Sequence, residues 1–195
     1  MVNYIKPEDL RFDAPNPPLS QIDHRKEQLI MRLAEIEEVL AIIRRVNDGD
    51  GGAVVESNLR NLPNGERDVP YWKGRIDVKN AIAAGHSFGG ATTLQALRAG
   101  SKFPFVSGVA LDPWLDPIPP YKPQNSSAKP SSTPTEHLDI NVPLLVINSE
   151  AFTLWSTHYR LVRDLVQGVR KAESWLMTLG KLFPSIPPSS ADTST

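Results

Sequence analysis

The longest regular pattern of apolar residues lies near the N-terminus. Apolar side chains recur there every three, four or seven residues, which is the period of one face of a helix. The positions are Ile22, Leu29, Leu33, Ile36, Leu40 and Ile43. Ser20 is a suitable N-cap, and the Gly- and Asp-rich run at 47–52 would end the helix. We therefore predict an amphipathic helix over residues 20–46 that packs on its own domain; a two-helix coiled coil is the alternative.

The remaining apolar segments alternate between short continuous runs and helical patterns. The short runs predict strands at residues 81–84, 105–111, 142–148 and 174–179. Helical patterns cover residues 88–99, where Gly100 would end the helix, and residues 157–171. This order predicts an α/β architecture, in which a parallel sheet of about four strands is flanked by helices.

Segments rich in proline, glycine and serine mark the limits of this unit. Residues 1–19 contain four prolines and predict an extended lead-in. Residues 48–70 and 113–136 predict surface loops, and residues 184–195 predict a disordered tail. The sequence therefore predicts one α/β domain over residues 20–183.

Composition narrows the classes of partner and site. The 21 basic and 22 acidic side chains nearly cancel, so we expect no nucleic-acid partner. The chain has no cysteine, which excludes disulfides and thiolate metal sites, and we expect no metal and no cofactor. The sequence shows neither a signal-like segment nor a membrane-spanning apolar run, so we expect a soluble, cytoplasmic chain. Peripheral membrane contact and the oligomeric state stay open.

A Gly-x-Ser-x-Gly motif lies where the first predicted strand meets the following helix. It runs from Gly85 to Gly89, with Ser87 in the turn. Because such a turn brings backbone segments close together, we expect glycine to be required on both sides of the serine. The Phe88 N–H would be free to stabilise an oxyanion beside the Ser87 hydroxyl. Ser87 is the predicted nucleophile; the alternative is a structural turn with an inert serine.

A serine nucleophile requires a histidine base and a carboxylate that orients the histidine. Asp112 follows the second predicted strand and would lie on the same sheet edge as Ser87. Glu150 follows the third strand and competes for this role, whereas Asp116 lies further into a loop. We predict Asp112 as the acid.

The base is harder to place among the four histidines. His24 lies among charged residues and should be solvated, and His86 should point away from the nucleophile and pack or form hydrogen bonds. His137 in the Pro- and Ser-rich loop and His158 near the start of a helix both lie outside the expected position. A base would normally follow the last strand, where the sequence has no histidine. The residues alone leave the base unassigned.

Three blocks of the sequence resemble the platelet-activating factor acetylhydrolases, which are serine-dependent phospholipase A2-type esterases of the α/β-hydrolase fold. The blocks are residues 85–92 (GHSFGGAT), 108–114 (GVALDPW) and 143–150 (PLLVINSE), and weaker similarity extends over 20–183. The resemblance implies a partial α/β-hydrolase fold. It also implies that Ser87 is the nucleophile, Asp112 the acid and the Phe88 N–H one oxyanion donor.

The same resemblance implies a substrate and shows a departure from the family pattern. The implied substrate is a phospholipid, or another short-chain ester, with a short sn-2 acyl group that is hydrolysed through an acyl-serine. Family members place the catalytic histidine three residues after a glycine, and here Phe183 stands at that distance from Gly180. We therefore expect impaired activity. A catalytically inactive hydrolase-like binding protein is one alternative, and a related hydrolase such as a dienelactone hydrolase or a peptidase is another.

The resemblance also bears on which part of the fold this chain supplies. The preceding strands and the second oxyanion donor of the family would lie upstream of Met1. We therefore expect the chain to correspond to the C-terminal portion of the fold, with the strand at residues 81–84 unpaired along one edge. An exposed strand edge favours aggregation, so we also expect poor solubility.

Overall fold

The structure is a computed structural model, and it describes residues 19–58, 68–118 and 140–180 of the 195-residue chain. Within these ranges four parallel strands form one sheet in chain order. The strands are β1 Ala81–His86, β2 Phe105–Leu111, β3 Leu144–Ser149 and β4 Ser174–Leu179. The predicted parallel α/β sheet is therefore confirmed, with boundaries that differ from the predicted ones by at most two residues.

Helices connect the strands and cover one face of the sheet. Helix α3, Phe88–Arg98, follows β1, while α4, Glu150–Thr153, and α5, Ser156–Gly168, lie between β3 and β4. One buried cluster joins α3, α5 and the middle of the sheet: Ala83, Phe88, Ala91, Leu94, Leu97, Ala110, Leu144, Val146, Val162, Leu165 and Val166. Because α3 and α5 share this cluster with the same strand residues, both helices pack on the same face.

The N-terminal helix α1, Gln21–Arg45, begins as predicted. The Ser20 hydroxyl accepts a hydrogen bond from the Asp23 N–H at 3.1 Å, which satisfies one of the free amides of the first turn. Leu29 joins the buried cluster, and the Arg32 guanidinium lies 4.5 Å from the centre of the Phe88 ring. Helix α1 therefore packs on its own domain, as expected. No helix in the described ranges is both long and apolar enough to cross a membrane.

The predicted loop at residues 48–70 is wrong in its first part. The chain turns through Val46–Asp50, where Gly49 has φ of 107°, and then forms a short helix α2, Gly51–Glu56. A Cβ atom on Gly51 would lie 2.8 Å from the carbonyl oxygen of Val69, so glycine permits this helix to approach the segment Val69–Trp72. This tertiary contact outweighs the weak helix propensity of glycine.

Several sequence predictions fall on residues that the structure does not describe. These are the lead-in at 1–18, the part of the first loop at 59–67, the part of the second loop at 119–136, and the tail at 184–195. They stay predictions.

The face of the sheet opposite α3 and α5 is largely exposed in the described part of the molecule. Strand pairing places Ala84, Val109, Leu145 and Trp175 in one row across it. The adjacent row consists of His86, Leu111, Ile147 and Met177. Ile82 is 60% exposed and Met177 is 52% exposed, and we call this surface the open face. Beside β1, which is an edge strand in the described sheet, α1 borders a groove of about 790 Å³.

Candidate active site

Ser87 occupies the turn between β1 and α3, where the motif predicted it. Its backbone has φ of 54° and ψ of −116°, a conformation that residues other than glycine rarely adopt. The Ser87 N–H donates to the Leu111 carbonyl at 2.9 Å, and the Ser87 carbonyl accepts from the Trp114 N–H at 3.1 Å. The strained turn is therefore held by the end of β2 and by the segment that follows it.

The glycines around Ser87 have different roles. A Cβ atom on Gly85 would overlap the backbone carbonyl of Gly89, so no side chain fits at Gly85. A Cβ atom on Gly90 would lie 3.0 Å from the Cα atom of Pro113, which is tight. A Cβ atom on Gly89 would meet nothing within 4 Å. The expectation that glycine is required on both sides of the serine is therefore confirmed at Gly85 and wrong at Gly89.

Phe88 combines a buried ring with a backbone amide at the turn. The residue begins α3, so its N–H is among the helix amides that have no acceptor within the helix. Its ring packs edge-on against Trp114, with 6.0 Å between ring centres, and lies beneath Arg32. These contacts fix the residue while its amide stays beside Ser87, which is the placement that an oxyanion donor requires.

Asp112 directly follows β2, on the same sheet edge as Ser87. Its N–H donates to the Ile147 carbonyl at 3.0 Å, and its Oδ1 accepts from the Ser149 N–H at 2.7 Å. Its Oδ2 makes no hydrogen bond within the described residues. Because the Ser87 N–H binds the carbonyl of Leu111, the residue before Asp112, the structure brings the predicted nucleophile and acid to adjoining strand ends.

Glu150 and Asp116, the two other carboxylates considered as the acid, have different surroundings from Asp112. Glu150 begins α4 and is exposed. Asp116 accepts a hydrogen bond from the Trp114 indole N–H at 2.9 Å, and its Oδ1 lies 3.4 Å from the Nδ1 atom of His158. This arrangement supports Asp112 as the acid, which stays a prediction.

None of the described histidines is hydrogen-bonded to the Ser87 hydroxyl. His24 is buried in α1, so the expectation that it would be solvated is wrong, although its charged neighbours Lys26 and Glu27 are exposed. His86 is exposed on the open face. His158 is buried, and its ring is bonded to the segment after Asp112.

The two remaining positions considered for the base, His137 and Phe183, lie outside the described residues. The structure therefore brings together the predicted nucleophile, the predicted oxyanion donor and the predicted acid, and does not bring a described histidine to them. The base stays unassigned.

Sequence reasoning missed the contacts that fix these groups. The Ser149 amide binds Asp112, the Trp114 amide binds the Ser87 carbonyl, and His158 binds the amide of Leu115. Asp112 and Ser149 are 37 residues apart, and Leu115 and His158 are 43 residues apart. No local pattern signals contacts over such separations, and backbone amides carry no residue-type signal.

Comparison with known proteins places this arrangement in a family. The family model described as "Platelet-activating factor acetylhydrolase, isoform II" matches residues 19–180. The chain is 34% identical over 136 residues to a platelet-activating factor acetylhydrolase of Canis lupus familiaris, covering 70% of this chain and 26% of that protein. It is 30% identical over 132 residues to the corresponding protein of Cavia porcellus, covering 68% and 25% respectively.

A third relative, the platelet-activating factor acetylhydrolase of Gallus gallus, is 28% identical over 141 residues, covering 72% of this chain and 28% of that protein. The chain thus spans about a quarter of the length of the curated relatives it matches. The range matched by the family model includes the four strands, Ser87, Phe88 and Asp112. The chain therefore belongs to the platelet-activating factor acetylhydrolase, isoform II, family.

Proposed function

We propose that this chain carries the nucleophile and the acid of a carboxylic ester hydrolase that cleaves short sn-2 acyl groups from phospholipids. The observation that carries the proposal is the strained turn at Ser87, held beside Asp112 at the carboxyl edge of a parallel sheet. Such strain persists only where surrounding contacts maintain it, and it is concentrated at functional sites. The names of the relatives support the class of substrate.

In the proposed reaction the Ser87 hydroxyl attacks the carbonyl carbon of the sn-2 ester. The Phe88 N–H donates to the oxyanion that forms, the ester bond breaks, and the lysophospholipid leaves with a proton. Water then attacks the acyl-serine, releases the carboxylic acid and restores the hydroxyl. Within the described residues Asp112 Oδ2 accepts no hydrogen bond, so it could accept from the N–H of a histidine that takes the serine proton.

We expect acylation by this chain to be slow. An unactivated serine loses most of the contribution of the triad, although an oxyanion donor and substrate binding alone retain roughly 10³–10⁴-fold catalysis over water in serine proteases. Labelling with a fluorophosphonate measures this directly, because the reagent reacts with an activated serine. We expect slow labelling of the wild-type chain at one residue, Ser87, and none in Ser87→Ala.

The role of Asp112 is tested by the same labelling experiment, with a substitution of Glu150 on the same edge of the sheet as the matched control. Where a histidine outside the described ranges, such as His137, takes the serine proton, Asp112→Asn should slow labelling by at least about tenfold, since the amide cannot stabilise a histidinium ion. Glu150→Gln removes an exposed carboxylate that follows the adjacent strand and should label at the wild-type rate. Equal rates in all three chains would contradict the role of Asp112.

A second candidate is a catalytically inactive binding protein that retains the hydrolase scaffold. The observation that favours it is that no described histidine reaches Ser87, while Phe183 stands at the position where the family pattern has histidine. The same labelling experiment separates the two candidates. A folded wild-type chain that does not react at Ser87 would exclude the hydrolase and support the binding protein, whereas a rapid burst of product would contradict the expected impairment.

A further inference from the structure

His158 is a fully buried polar side chain that the proposed reaction does not use as a base. It is 2% exposed and lies in the first turn of α5. The Trp155 ring stacks on it, with 4.0 Å between ring centres and 16° between ring planes. The edge contact with Phe152 fixes the imidazole from a second direction, at 5.4 Å between centres. The ring is therefore held in one plane.

The ring nitrogens of His158 face the segment that begins at Asp112, residues 112–118. Nε2 lies 2.9 Å from the Leu115 nitrogen and 3.1 Å from the Pro113 oxygen, while Nδ1 lies 3.4 Å from Asp116 Oδ1. A backbone N–H can only donate, and a buried one requires an acceptor. Nε2 therefore carries the lone pair and accepts from Leu115, and Nδ1 carries the hydrogen on the side of Asp116.

The other end of the same segment is bonded to the predicted catalytic groups. The Trp114 N–H donates to the Ser87 carbonyl at 3.1 Å, and Asp112 Oδ1 accepts from the Ser149 N–H at 2.7 Å. Leu115 is the next residue after Trp114, so His158 fixes the chain one residue away from its bond to Ser87. Without the imidazole the buried Leu115 amide would have no acceptor, and the segment would move to satisfy it.

We infer that His158 is a positioning residue: its neutral imidazole, bonded to the Leu115 amide, holds segment 112–118 so that the Asp112 carboxylate and the Ser87 turn keep their relative placement. The effect on catalysis rests on the proposed function. The hydrogen bond between the Leu115 amide and His158 is a property of the fold and is measured without substrate.

The tautomer is tested on the wild-type chain. Nitrogen NMR of the 15N-labelled protein should show His158 with a protonated Nδ1 and an unprotonated Nε2 that is hydrogen-bonded to the Leu115 amide. A hydrogen on Nε2 would mean that the ring donates to the Pro113 carbonyl and leaves Leu115 unbound. That result would overturn the inference, whether or not any variant folds.

Positioning is tested through the Ser149 amide, whose hydrogen exchange reports its bond to the Asp112 carboxylate. His158→Leu removes the acceptor and should accelerate exchange of this amide by roughly tenfold relative to amides in the middle of β3. In His158→Gln the side-chain oxygen can accept from Leu115, so protection should be largely restored. Val162→Ala is the control, because it opens a cavity at another buried position of α5, in the same cluster as Leu115, without removing a hydrogen bond to segment 112–118.

If Val162→Ala accelerates hydrogen exchange of the Ser149 amide as much as His158→Leu does, the acceleration reflects a general loss of stability and the inference fails. Fluorophosphonate labelling adds the functional comparison: His158→Leu should label Ser87 about tenfold more slowly than wild type, and His158→Gln at a rate close to wild type. A wild-type chain that does not label would contradict the proposed function, whereas the exchange experiment would still decide the role of His158.

Discussion

Ser87 and Asp112 both have a positive φ angle, which is costly for residues with a side chain. Their φ angles are 54° and 40°, and they are the two non-glycine residues with positive φ in the described ranges. Each such residue costs on the order of 1–3 kcal/mol, which the surrounding contacts must supply. The amides of both residues donate to carbonyls of adjacent strands, Leu111 and Ile147. Strain is thus concentrated at the two positions where the chemistry is expected.

The sharpness of the Ser87 turn depends on Gly85. In Gly85→Ala the new methyl group would overlap the Gly89 carbonyl, and both partners are backbone, so neither can move cheaply. We expect a loss of more than about 3 kcal/mol in the free energy of unfolding, above the usual cost of overpacking. Urea unfolding followed by circular dichroism would measure it.

Gly89→Ala is the matched control for this prediction. A methyl group there meets nothing within 4 Å, and the residue lies inside α3. Alanine should therefore stabilise the helix by about 0.5–1 kcal/mol. Equal destabilisation by the two alanines would show that the turn is not limited by the contact at Gly85.

At the scale of single residues, local sequence rules place some functional residues correctly and fail for others. Ser87 and Asp112 could be placed from the sequence because a motif and a strand end fix backbone position directly. The role of Gly89 could not, because the space around a missing Cβ atom depends on which backbone segment packs there. His24 shows the same limit: its charged neighbours suggested solvation, but the buried side of a helix is set by what packs on it.

Among the elements, the break between α1 and α2 is set by one residue. Gly49, with φ of 107°, separates the end of α1 from α2, and the turn also contacts the Lys73 side chain. The Gly- and Asp-rich composition predicted this break correctly. It did not predict the helix that follows, because α2 depends on the approach of Gly51 to Val69, a contact with no local signature.

Substitutions at Gly49 and Gly52 should therefore have opposite effects. Gly49→Ala forces a side chain into a left-handed conformation and should destabilise the protein by about 1–2 kcal/mol. Gly52→Ala adds a methyl group inside α2 with nothing within 4 Å, and should stabilise the protein by about 0.5–1 kcal/mol. Urea unfolding of both variants measures the direction of each change in stability. A stabilising effect of Gly49→Ala would contradict the need for glycine at the break between α1 and α2.

For the whole molecule, the parallel sheet was predictable and the cover of the sheet was not. Short apolar runs alternating with helical patterns predict a parallel sheet of about four strands, and the structure has such a sheet. The continuous apolar run at residues 142–148 is typical of a parallel strand that is buried on both faces. In the described residues one face is covered and the open face is not, which agrees with a chain that matches a quarter of the length of its relatives.

Large exposed apolar surfaces and unpaired strand edges both favour association. The open face presents Ile82, Leu111, Trp175, Met177 and Leu179, and each is more than a third exposed. These side chains come from the first, second and last strands, so the surface extends across the sheet. We therefore expect the isolated chain to self-associate as its concentration rises, in line with the poor solubility expected for an unpaired β1.

The open face, rather than the strand edge alone, should account for most of this association. Ile82→Lys combined with Met177→Lys places one charge on β1 and one on β4, at opposite sides of the surface. Both side chains are already more than half exposed, so stability should change by less than about 1 kcal/mol. Sedimentation velocity should then show a shift toward the monomer. Tyr71→Lys, which changes a 71% exposed residue outside the sheet, should leave association unchanged. If both variants associate like wild type, pairing through the β1 edge is the dominant contact, because that edge uses backbone groups that neither substitution alters.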